Sequence, residues 1–348
     1  MSLHFFLKRF LTCLAIVLSH QVTIAQGPFG ESVLPDPLKT LESSFYPNLK
    51  KGTKSFVYVI DKDTISKSFY DKSGNETVKL EEFRKNKALY RSENKYSNSL
   101  KTETAFYVND ILQSKTTYKY VNTNLVEWER IKYNKDARSS AVTTSTDVHW
   151  FLNYNKSNKI LEAYSVDAAN VKNQVYEYSY DSDNKLLLTN ELQWQDKYEY
   201  QGNFMSKKYR IFKNDGSLYD SVEFKYNDDN LLIEKSDKYY NTRFGYDSKK
   251  LKHIHYEKKA NSAGLDVELF YAGNQLIKIE MLTKDIKLSP VYPGFIFKSD
   301  YLIRSWKLNE QNKLTMEFIY DKNQNVREIK YIINDVYKYS KDFLIEYY

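Results

Sequence analysis

Cysteine is almost absent from this 348-residue chain, which contains Cys13 alone. Cys13 lies in an apolar N-terminal run that we predict to be removed as an export signal. The exported chain would then hold no disulfide, no thiol nucleophile and no cysteine metal ligand. A chain of this length can bury enough surface to fold without such cross-links. We therefore expect its stability to come from sheet packing.

Long hydrophobic runs are also scarce, and the clearest one is at the N-terminus. Lys8 and Arg9 precede an apolar run from Phe10 to Leu18, and Thr23-Ile24-Ala25 offers small residues for cleavage, so residues 1–25 are predicted to be a signal peptide. The run is about half of the roughly 20 residues that a membrane-spanning helix needs. We expect a periplasmic, cell-surface or extracellular protein with no transmembrane helix. A retained signal anchor is the alternative.

Proline is unevenly distributed, with four of the six prolines between Pro28 and Pro47. We predict that residues 26–50 form an N-terminal linker. No proline occurs from residue 49 to residue 289, as expected where backbone N–H groups pair with neighbouring strands. Residues 51–348 are therefore predicted to form one β-hairpin repeat domain.

An excess of charge of one sign is missing as well. The formal net charge is +7 at pH 7, and it falls to +5 when Lys8 and Arg9 leave with the signal peptide. Lysines and acidic residues alternate along the chain, which is typical of solvated strand faces and not of a nucleic-acid-binding surface. We expect no nucleic-acid partner.

Tyrosine is abundant, with 32 copies, and many of them follow a pattern. A tyrosine, a polar turn and an apolar strand recur at intervals of 26, 20, 26, 20 and 25 residues between Tyr154 and Tyr271. Such a period indicates a structural repeat. The copies are Tyr154, Tyr180, Tyr200, Tyr226, Tyr246 and Tyr271, with Tyr320 further on.

Each repeat predicts a strand, a tight turn and a return strand. Apolar residues alternate toward the tyrosine, as in Val222, Phe224 and Tyr226, and a period of two indicates a strand with one buried face. The Asp or Asn after the tyrosine is expected to cap the turn by accepting backbone hydrogen bonds. A bulged turn also requires positive φ, and suitable residues stand four positions after a tyrosine at Gly74, Asn158, Asn184 and Asn230.

Two strands per period predict on the order of two dozen short strands over residues 51–348. Open twisted sheets rarely exceed about 10 strands without curling, splitting or closing. We therefore predict an all-β fold, a long antiparallel meander of Tyr-rich hairpin repeats that curls into a coiled sheet, a shell or a wide barrel.

The Tyr-Asp/Asn-x-x-Asn/Gly-x-Leu unit resembles the YD repeat of RHS-type proteins. It is also similar to exported bacterial proteins of unknown function that are built from Tyr-rich hairpins and have a porin-like fold. The resemblance covers roughly residues 150–348 and extends weakly back to about residue 55. RHS repeats usually carry Gly-Arg where this chain has Asn184-Lys185 or Asn230-Leu231. The resemblance implies a β-shell or β-solenoid scaffold and no catalytic residue.

His253-Ile254-His255 is the strongest candidate metal site. The two imidazoles share one face of a strand about 6.6 Å apart, a spacing that can place both on one metal ion. Glu257 continues this face but lies roughly 13 Å from His253, so a third ligand must come from elsewhere. Ordinary exposed or half-buried histidines are the alternative. No cofactor is expected.

Trp128 is the best candidate for a ligand-facing aromatic residue, because it is out of phase with Ile131 and Tyr133. Glu127 and Glu129 flank it, and two carboxylates beside an aromatic ring resemble a glycosidase cleft. A solvated strand face with a packed tryptophan is the alternative.

Three hypotheses for function follow. The first is a non-catalytic, exported β-repeat scaffold or binding protein for a glycan or a protein, favoured by a regular repeat without a convergent catalytic set. The second is a polysaccharide-acting enzyme whose carboxylates come from distant repeats. The third is an outer-membrane β-barrel, suggested by alternating strands and the aromatic end Tyr347-Tyr348. It ranks below a soluble protein because charges interrupt the apolar phase after three or four positions.

Overall fold

The computed structural model describes Pro47, Leu49 and residues 52–60, 63–83, 88–135, 142–167, 169–260, 264–284 and 313–347. The predicted signal peptide lies outside the described residues, as does nearly all of the predicted linker. The described residues form 22 strands and no helix. Among them, therefore, no helix has the length and hydropathy needed to cross a membrane.

The strands are short and follow one another along the chain. In order they are β1 (Thr53–Ile60), β2 (Asp63–Tyr70), β3 (Glu76–Phe83), β4 (Ala88–Ser97), β5 (Leu100–Val108), β6 (Ile111–Val121), β7 (Asn124–Lys135), β8 (Val142–Tyr154), β9 (Ile160–Val166), β10 (Lys172–Tyr180), β11 (Leu186–Asn190), β12 (Trp194–Gln201), β13 (Phe204–Phe212), β14 (Leu218–Tyr226), β15 (Leu232–Ser236), β16 (Tyr240–Asp247), β17 (Lys250–Lys258), β18 (Gly264–Ala272), β19 (Gln275–Lys284), β20 (Lys313–Tyr320), β21 (Val326–Ile333) and β22 (Val336–Tyr347).

The chain divides into two compact units, and each is an antiparallel series of strands. Among described residues, the first unit is Thr116–Lys197, and the second comprises residues up to Lys115 together with Tyr198–Tyr348. In the first unit, β7 to β12 pair consecutively. In the second, β13 to β22 pair consecutively and continue into β1 to β5.

The pairing of β1 with β22 makes that continuation possible, since it joins the first strand of the meander to the last. The predicted fold class, an antiparallel all-β meander of hairpins, is confirmed.

The strands β17 to β19 of the second unit bury one face almost completely. Along β17 to β19, exposure is 0% at Ile254, Leu265, Val267, Ile279 and Met281. These residues occupy every second position, so the face is continuous from strand to strand. The alternating apolar phase seen in the sequence is this buried face.

The repeat turn has the predicted chemistry. Asp181 Oδ1 accepts hydrogen bonds from the backbone N–H groups of Asp183 at 2.9 Å and Lys185 at 2.8 Å. The same bonds form at Asp71, Asn155 and Asp321. The predicted positive-φ residues adopt that conformation, with φ of 87° at Gly74, 58° at Asn158, 61° at Asn184 and 63° at Asn230.

Two turns extend the pattern beyond the prediction. Gln324 takes the positive-φ position with φ of 63° although it is neither glycine nor asparagine. Asp167 caps a further turn, accepting from the N–H groups of Ala169 and Val171, although no tyrosine precedes it. The turn therefore depends on its capping carboxylate or amide and tolerates variation elsewhere.

The repeat tyrosines have a structural role that spacing alone did not reveal. Five of these phenols lie at or next to the end of a strand and donate their O–H groups to a backbone carbonyl near the start of the preceding strand. The pairs are Tyr154 with Leu125 at 2.7 Å, Tyr180 with Ile160 at 2.9 Å, Tyr226 with Met205 at 3.1 Å, Tyr246 with Leu232 at 2.9 Å and Tyr320 with Leu276 at 2.6 Å. Burial raises the pKa of Tyr154 and of Tyr320, so these phenols remain donors. These hydrogen bonds link each tyrosine's strand to the strand before it.

Candidate functional site

A groove of about 460 Å³ opens in the first unit where β7 begins and β8 ends. Its lining includes the apolar side chains of Phe151 and Leu152 and the carboxylate of Glu127. Three amides, Asn124, Asn153 and Asn158, add polar groups. The groove thus combines an aromatic ring with hydrogen-bonding side chains.

Strand register places the groove beside an aromatic strip. Glu127 of β7 lies opposite Phe151 of β8, and Phe151 lies opposite Tyr164 of β9. The rings of Phe151 and Tyr164 stack with centroids 5.3 Å apart, and His149 lies 4.4 Å from Phe151. Lys172 Nζ is 3.9 Å from the centroid of the Tyr164 ring. Planar groups therefore continue outward from the groove along one face of the sheet.

Glu127 is held ionised by two neighbours. Its Oε1 accepts a hydrogen bond from Lys119 Nζ at 2.7 Å and lies 2.9 Å from His149 Nε2. Burial alone would raise the pKa of Glu127, but Lys119 and His149 outweigh burial and lower that pKa. An ionised carboxylate only accepts hydrogen bonds. Glu127 therefore offers acceptor oxygens to the groove.

The structure places Trp128 on the other face of β7. Trp128 lies directly opposite Trp150, and their rings stack with centroids 6.3 Å apart. Trp150 alternates with the buried Leu152, so Trp128 belongs to the better-buried face and is itself half-buried. Ile131, the reference for the sequence prediction, has the phase of Glu127. Trp128 is not among the groove-lining residues, and its ligand-binding role stays a prediction.

A charge cluster that sequence reasoning missed begins at Arg130, two positions after Trp128 on β7. The register shifts between Arg130 and Ile131, which leaves Asp147 as an extra residue of β8. Arg130 Nε donates to Asp147 Oδ2 at 2.7 Å, and Lys132 Nζ contacts the other carboxylate oxygen. Burial would raise the pKa of Asp147, but Lys132 and Arg130 lower it overall. A bulge of this kind depends on the partner strand, so the sequence of β7 alone gives no signal for it.

The second unit brings the two candidate metal ligands of β17 together with an acid of β18. Register places His255 opposite Asp266 and His253 opposite Glu268. One ligand atom from each of His253, His255 and Asp266 lies within 4.8 Å of the others. Asp266 supplies the third donor that the sequence prediction lacked. Antiparallel pairing of β17 with β18, counted outward from Glu257 and Gly264, would have placed Asp266 opposite His255.

Asp266 Oδ1 lies between the two imidazoles. It is 2.6 Å from His255 Nδ1 and 3.5 Å from His253 Nε2. The other nitrogen of His253, Nδ1, lies 2.7 Å from Glu268 Oε1. On β16, Gly245 is opposite His253, and a Cβ at Gly245 would lie 3.2 Å from the Cβ of His253. The glycine leaves room for this imidazole.

No protein-family model matches the sequence, and a comparison with curated proteins gives no match either. Among solved structures, the chain is similar to the crystal structure of TcdB2-TccC3-Cdc42, with 10% identity, a TM-score of 0.36 and coverage of 79% of this chain. This chain spans 19% of the length of that toxin chain. The YD-repeat assignment itself stays a prediction.

A porin-like protein from Bacteroides uniformis is also similar, with 10% identity, a TM-score of 0.27 and coverage of 87% of this chain and 99% of that chain. A second crystal structure, of TcdB2-TccC3 without its hypervariable C-terminal region, gives 9% identity, a TM-score of 0.35 and coverage of 80% of this chain and 19% of that chain. Likenesses at these identities and TM-scores assign no function.

Proposed function

We propose that this chain is an exported, non-catalytic β-repeat protein that binds a glycan in the groove of its first unit. The groove carries the proposal. Its volume of about 460 Å³ falls within the range of about 300 to 1,000 Å³ that is usual for small-ligand sites. It also lies at strand ends and turns, where binding residues are commonly presented by a rigid scaffold.

The chemistry of the lining favours a sugar. Sugars present apolar C–H faces, which pack on aromatic rings such as Phe151, and hydroxyls, which pair with amides and carboxylates. The amides are already oriented, because Asn124 Nδ2 donates to Asn158 Oδ1 at 3.0 Å and Asn153 Nδ2 donates to Glu162 Oε2 at 3.0 Å. Pre-oriented groups lose less entropy on binding. Their remaining donors and acceptors are available to ligand hydroxyls.

The state of Glu127 favours binding over hydrolysis. A glycosidase needs a carboxylic acid with a raised pKa to protonate the leaving oxygen. Lys119 and His149 act in the opposite direction and lower the pKa of Glu127. Glu127 is therefore suited to accept hydrogen bonds from sugar hydroxyls and unsuited to be that acid.

The test is a binding screen of residues 26–348 against immobilised oligosaccharides, followed by titration of the best ligand. We expect Glu127→Gln and Asn153→Ala to weaken binding about 10-fold, since each removes a hydrogen bond to the ligand. Glu223→Gln is the matched control, because Glu223 also pairs with a lysine, Lys207, at 2.7 Å but lies in the second unit. Equal affinities in all variants, or capture of proteins with no glycan, would reject the proposal.

The outer-membrane barrel is the second candidate, and the pairing of β1 with β22 favours it, since a membrane sheet must have no open edge. The partly exposed face of β18 and β19 carries Asp266, Glu268 and Glu280, and charges facing lipid are destabilising. Fractionation of cells that express the full chain decides between the two. Recovery in the soluble exported fraction supports the binding protein, and release only by detergent supports the barrel.

A further inference from the structure

We infer that His253, His255 and Asp266 form a binding site for one divalent transition-metal ion, with zinc the best fit. The site belongs to the second unit and does not rest on the proposed glycan groove. Two imidazole nitrogens and one carboxylate oxygen form a donor set that zinc takes in proteins, with a fourth position left for water or another ligand.

The spacing of the donors suits such an ion. Zinc binds nitrogen and oxygen ligands at about 2.0 to 2.2 Å, which puts neighbouring ligands of a tetrahedral site about 3.4 Å apart. His253 Nε2 and Asp266 Oδ1 are 3.5 Å apart, already at that spacing. His255 Nδ1 is 2.6 Å from the same oxygen, a hydrogen-bond distance. That pair must separate by less than about 1 Å when an ion replaces the shared proton.

Each imidazole also has a carboxylate near its second nitrogen. Glu268 Oε1 lies 2.7 Å from His253 Nδ1, which favours the tautomer whose free lone pair is on Nε2, facing Asp266. Glu257 Oε2 lies 3.9 Å from His255 Nε2. Metal-bound histidines nearly always have such an outer carboxylate or carbonyl partner. His253 has such a partner in Glu268, whereas Glu257 lies beyond hydrogen-bond distance of His255.

Local charge and access favour a cation. The side chains of Asp266, Glu268 and Glu257 contribute three carboxylates, and Arg243 lies 3.7 Å from Glu257. The side chains of His253 and His255 are 36% and 22% exposed. An ion can therefore enter from solvent, and a water molecule can complete its coordination.

His149 provides a matched control. Removal of residues 1–25 leaves three histidines, and His149 is the one outside this cluster. His149, on β8, also pairs with a carboxylate of a neighbouring strand, Glu127 of β7, but it has no second imidazole beside it. Any metal binding caused by a single histidine–carboxylate pair would involve His149 as much as His253.

The experiment is titration of tag-free residues 26–348 with Zn²⁺ and with Co²⁺, whose visible absorption reports coordination. We expect one ion per chain, an intense four-coordinate Co²⁺ spectrum, and at least 10-fold weaker binding in His253→Gln, His255→Gln and Asp266→Asn. His149→Gln should bind as the wild type does. Absence of saturable one-to-one binding would overturn the inference, and so would equal binding in all the variants.

A second variant separates ligands from outer partners. Glu268→Gln should keep one-to-one stoichiometry and weaken binding about 10- to 100-fold, as expected for the loss of an outer-shell carboxylate. Circular dichroism of every variant without metal checks that the sheet is intact. Because Glu268 is half-exposed on a polar face, its variant should fold even if a ligand variant does not. Unchanged Zn²⁺ affinity in Glu268→Gln would contradict the assigned geometry.

Discussion

The two units share one frame, which is the capped turn and the tyrosine hydrogen bond, and they differ in the side chains that they bury. In both, a capped turn follows a tyrosine whose hydroxyl bonds the preceding strand, as at Tyr154 and Tyr320. In the second unit, however, β16 to β22 share a contiguous buried core of aliphatic and aromatic residues, with 0% exposure at Ile279, Met281 and Tyr331. The corresponding face of the first unit combines buried residues such as Leu152 and Leu186 with the half-buried Trp128 and Trp150.

This difference indicates that the turn, the tyrosine and the residues between them vary independently from repeat to repeat. The turn needs only an Asp or Asn cap and one positive φ, and the tyrosine needs only a carbonyl on the preceding strand. Residues between them can become an apolar core, a charged bulge or a groove without disturbing the frame. Function should therefore be sought in the residues that differ between repeats.

The largest expected effect is in the second unit. Ile279→Ala should lower the free energy of unfolding by about 2 to 5 kcal/mol, because it leaves a cavity in a fully buried face. Val126→Ala, in the half-buried lining of the groove, should lower the free energy of unfolding by only about 1 kcal/mol, because the two methyl groups that it removes are partly exposed. Equilibrium urea denaturation of both variants measures the contrast. Equal losses would remove the distinction between the two units.

The next effect belongs to the first unit. Asp147→Asn should cost about 1 to 3 kcal/mol at neutral pH, because hydrogen bonds between charged groups are lost in a partly buried site. Arg130 and Lys132 lower the folded-state pKa of Asp147, although burial acts against them. The stabilisation is therefore present above the unfolded pKa of about 3.9 and disappears as pH falls through the lower folded value.

The pH dependence of unfolding tests this assignment. Wild type and Asp147→Asn should differ most near pH 7 and should converge as pH falls below the lowered folded-state pKa, where the wild-type carboxylate becomes protonated in both states. A difference that is the same at pH 3 and pH 7 would mean that Asp147 contributes through packing and not through its charge.

The tyrosine hydroxyl should contribute equally in both units. Tyr154→Phe and Tyr320→Phe should each lower the free energy of unfolding by about 0.5 to 1.5 kcal/mol, the net value of one hydrogen bond. Tyr337→Phe is the control, because Tyr337 is 53% exposed. Chemical denaturation of the three variants gives the comparison. A loss in one unit alone would show that the frame is not shared.

The smallest effect concerns the turns. Gln324→Gly should stabilise the second unit by up to about 1 kcal/mol, because glycine adopts positive φ without steric cost. Asn158→Gly, in the first unit, should change stability by only a few tenths of a kcal/mol, since asparagine tolerates this conformation. Thermal midpoints measure both. Destabilisation by Gln324→Gly would indicate a side-chain contact that outweighs backbone strain.

Local features were predictable from the sequence and cross-strand features were not. The positive φ of Asn184 and the capping role of Asp181 follow from their own backbone chemistry, so spacing from a tyrosine was enough to find them. The buried phase of Val267 and Leu269 follows from alternation within one strand. These predictions needed no knowledge of the neighbouring strand.

The candidate sites required that knowledge. Asp266 joins His253 and His255 only because of the β17–β18 register. The stacking of Trp128 on Trp150 follows from the pairing of β7 with β8, which the sequence of β7 alone does not show. The groove depends on two separate turns, and no single repeat contains it. Each of these features is set by pairing between segments and not by a local pattern.

The proposal that the groove binds a sugar without cleaving it can be tested by one measurement. The best oligosaccharide from the binding screen is incubated with stoichiometric protein, its affinity is measured by calorimetry, and the recovered sugar is analysed by mass spectrometry. The account predicts saturable one-to-one binding and recovery of intact sugar. Shortened products that disappear with Glu127→Gln would contradict it.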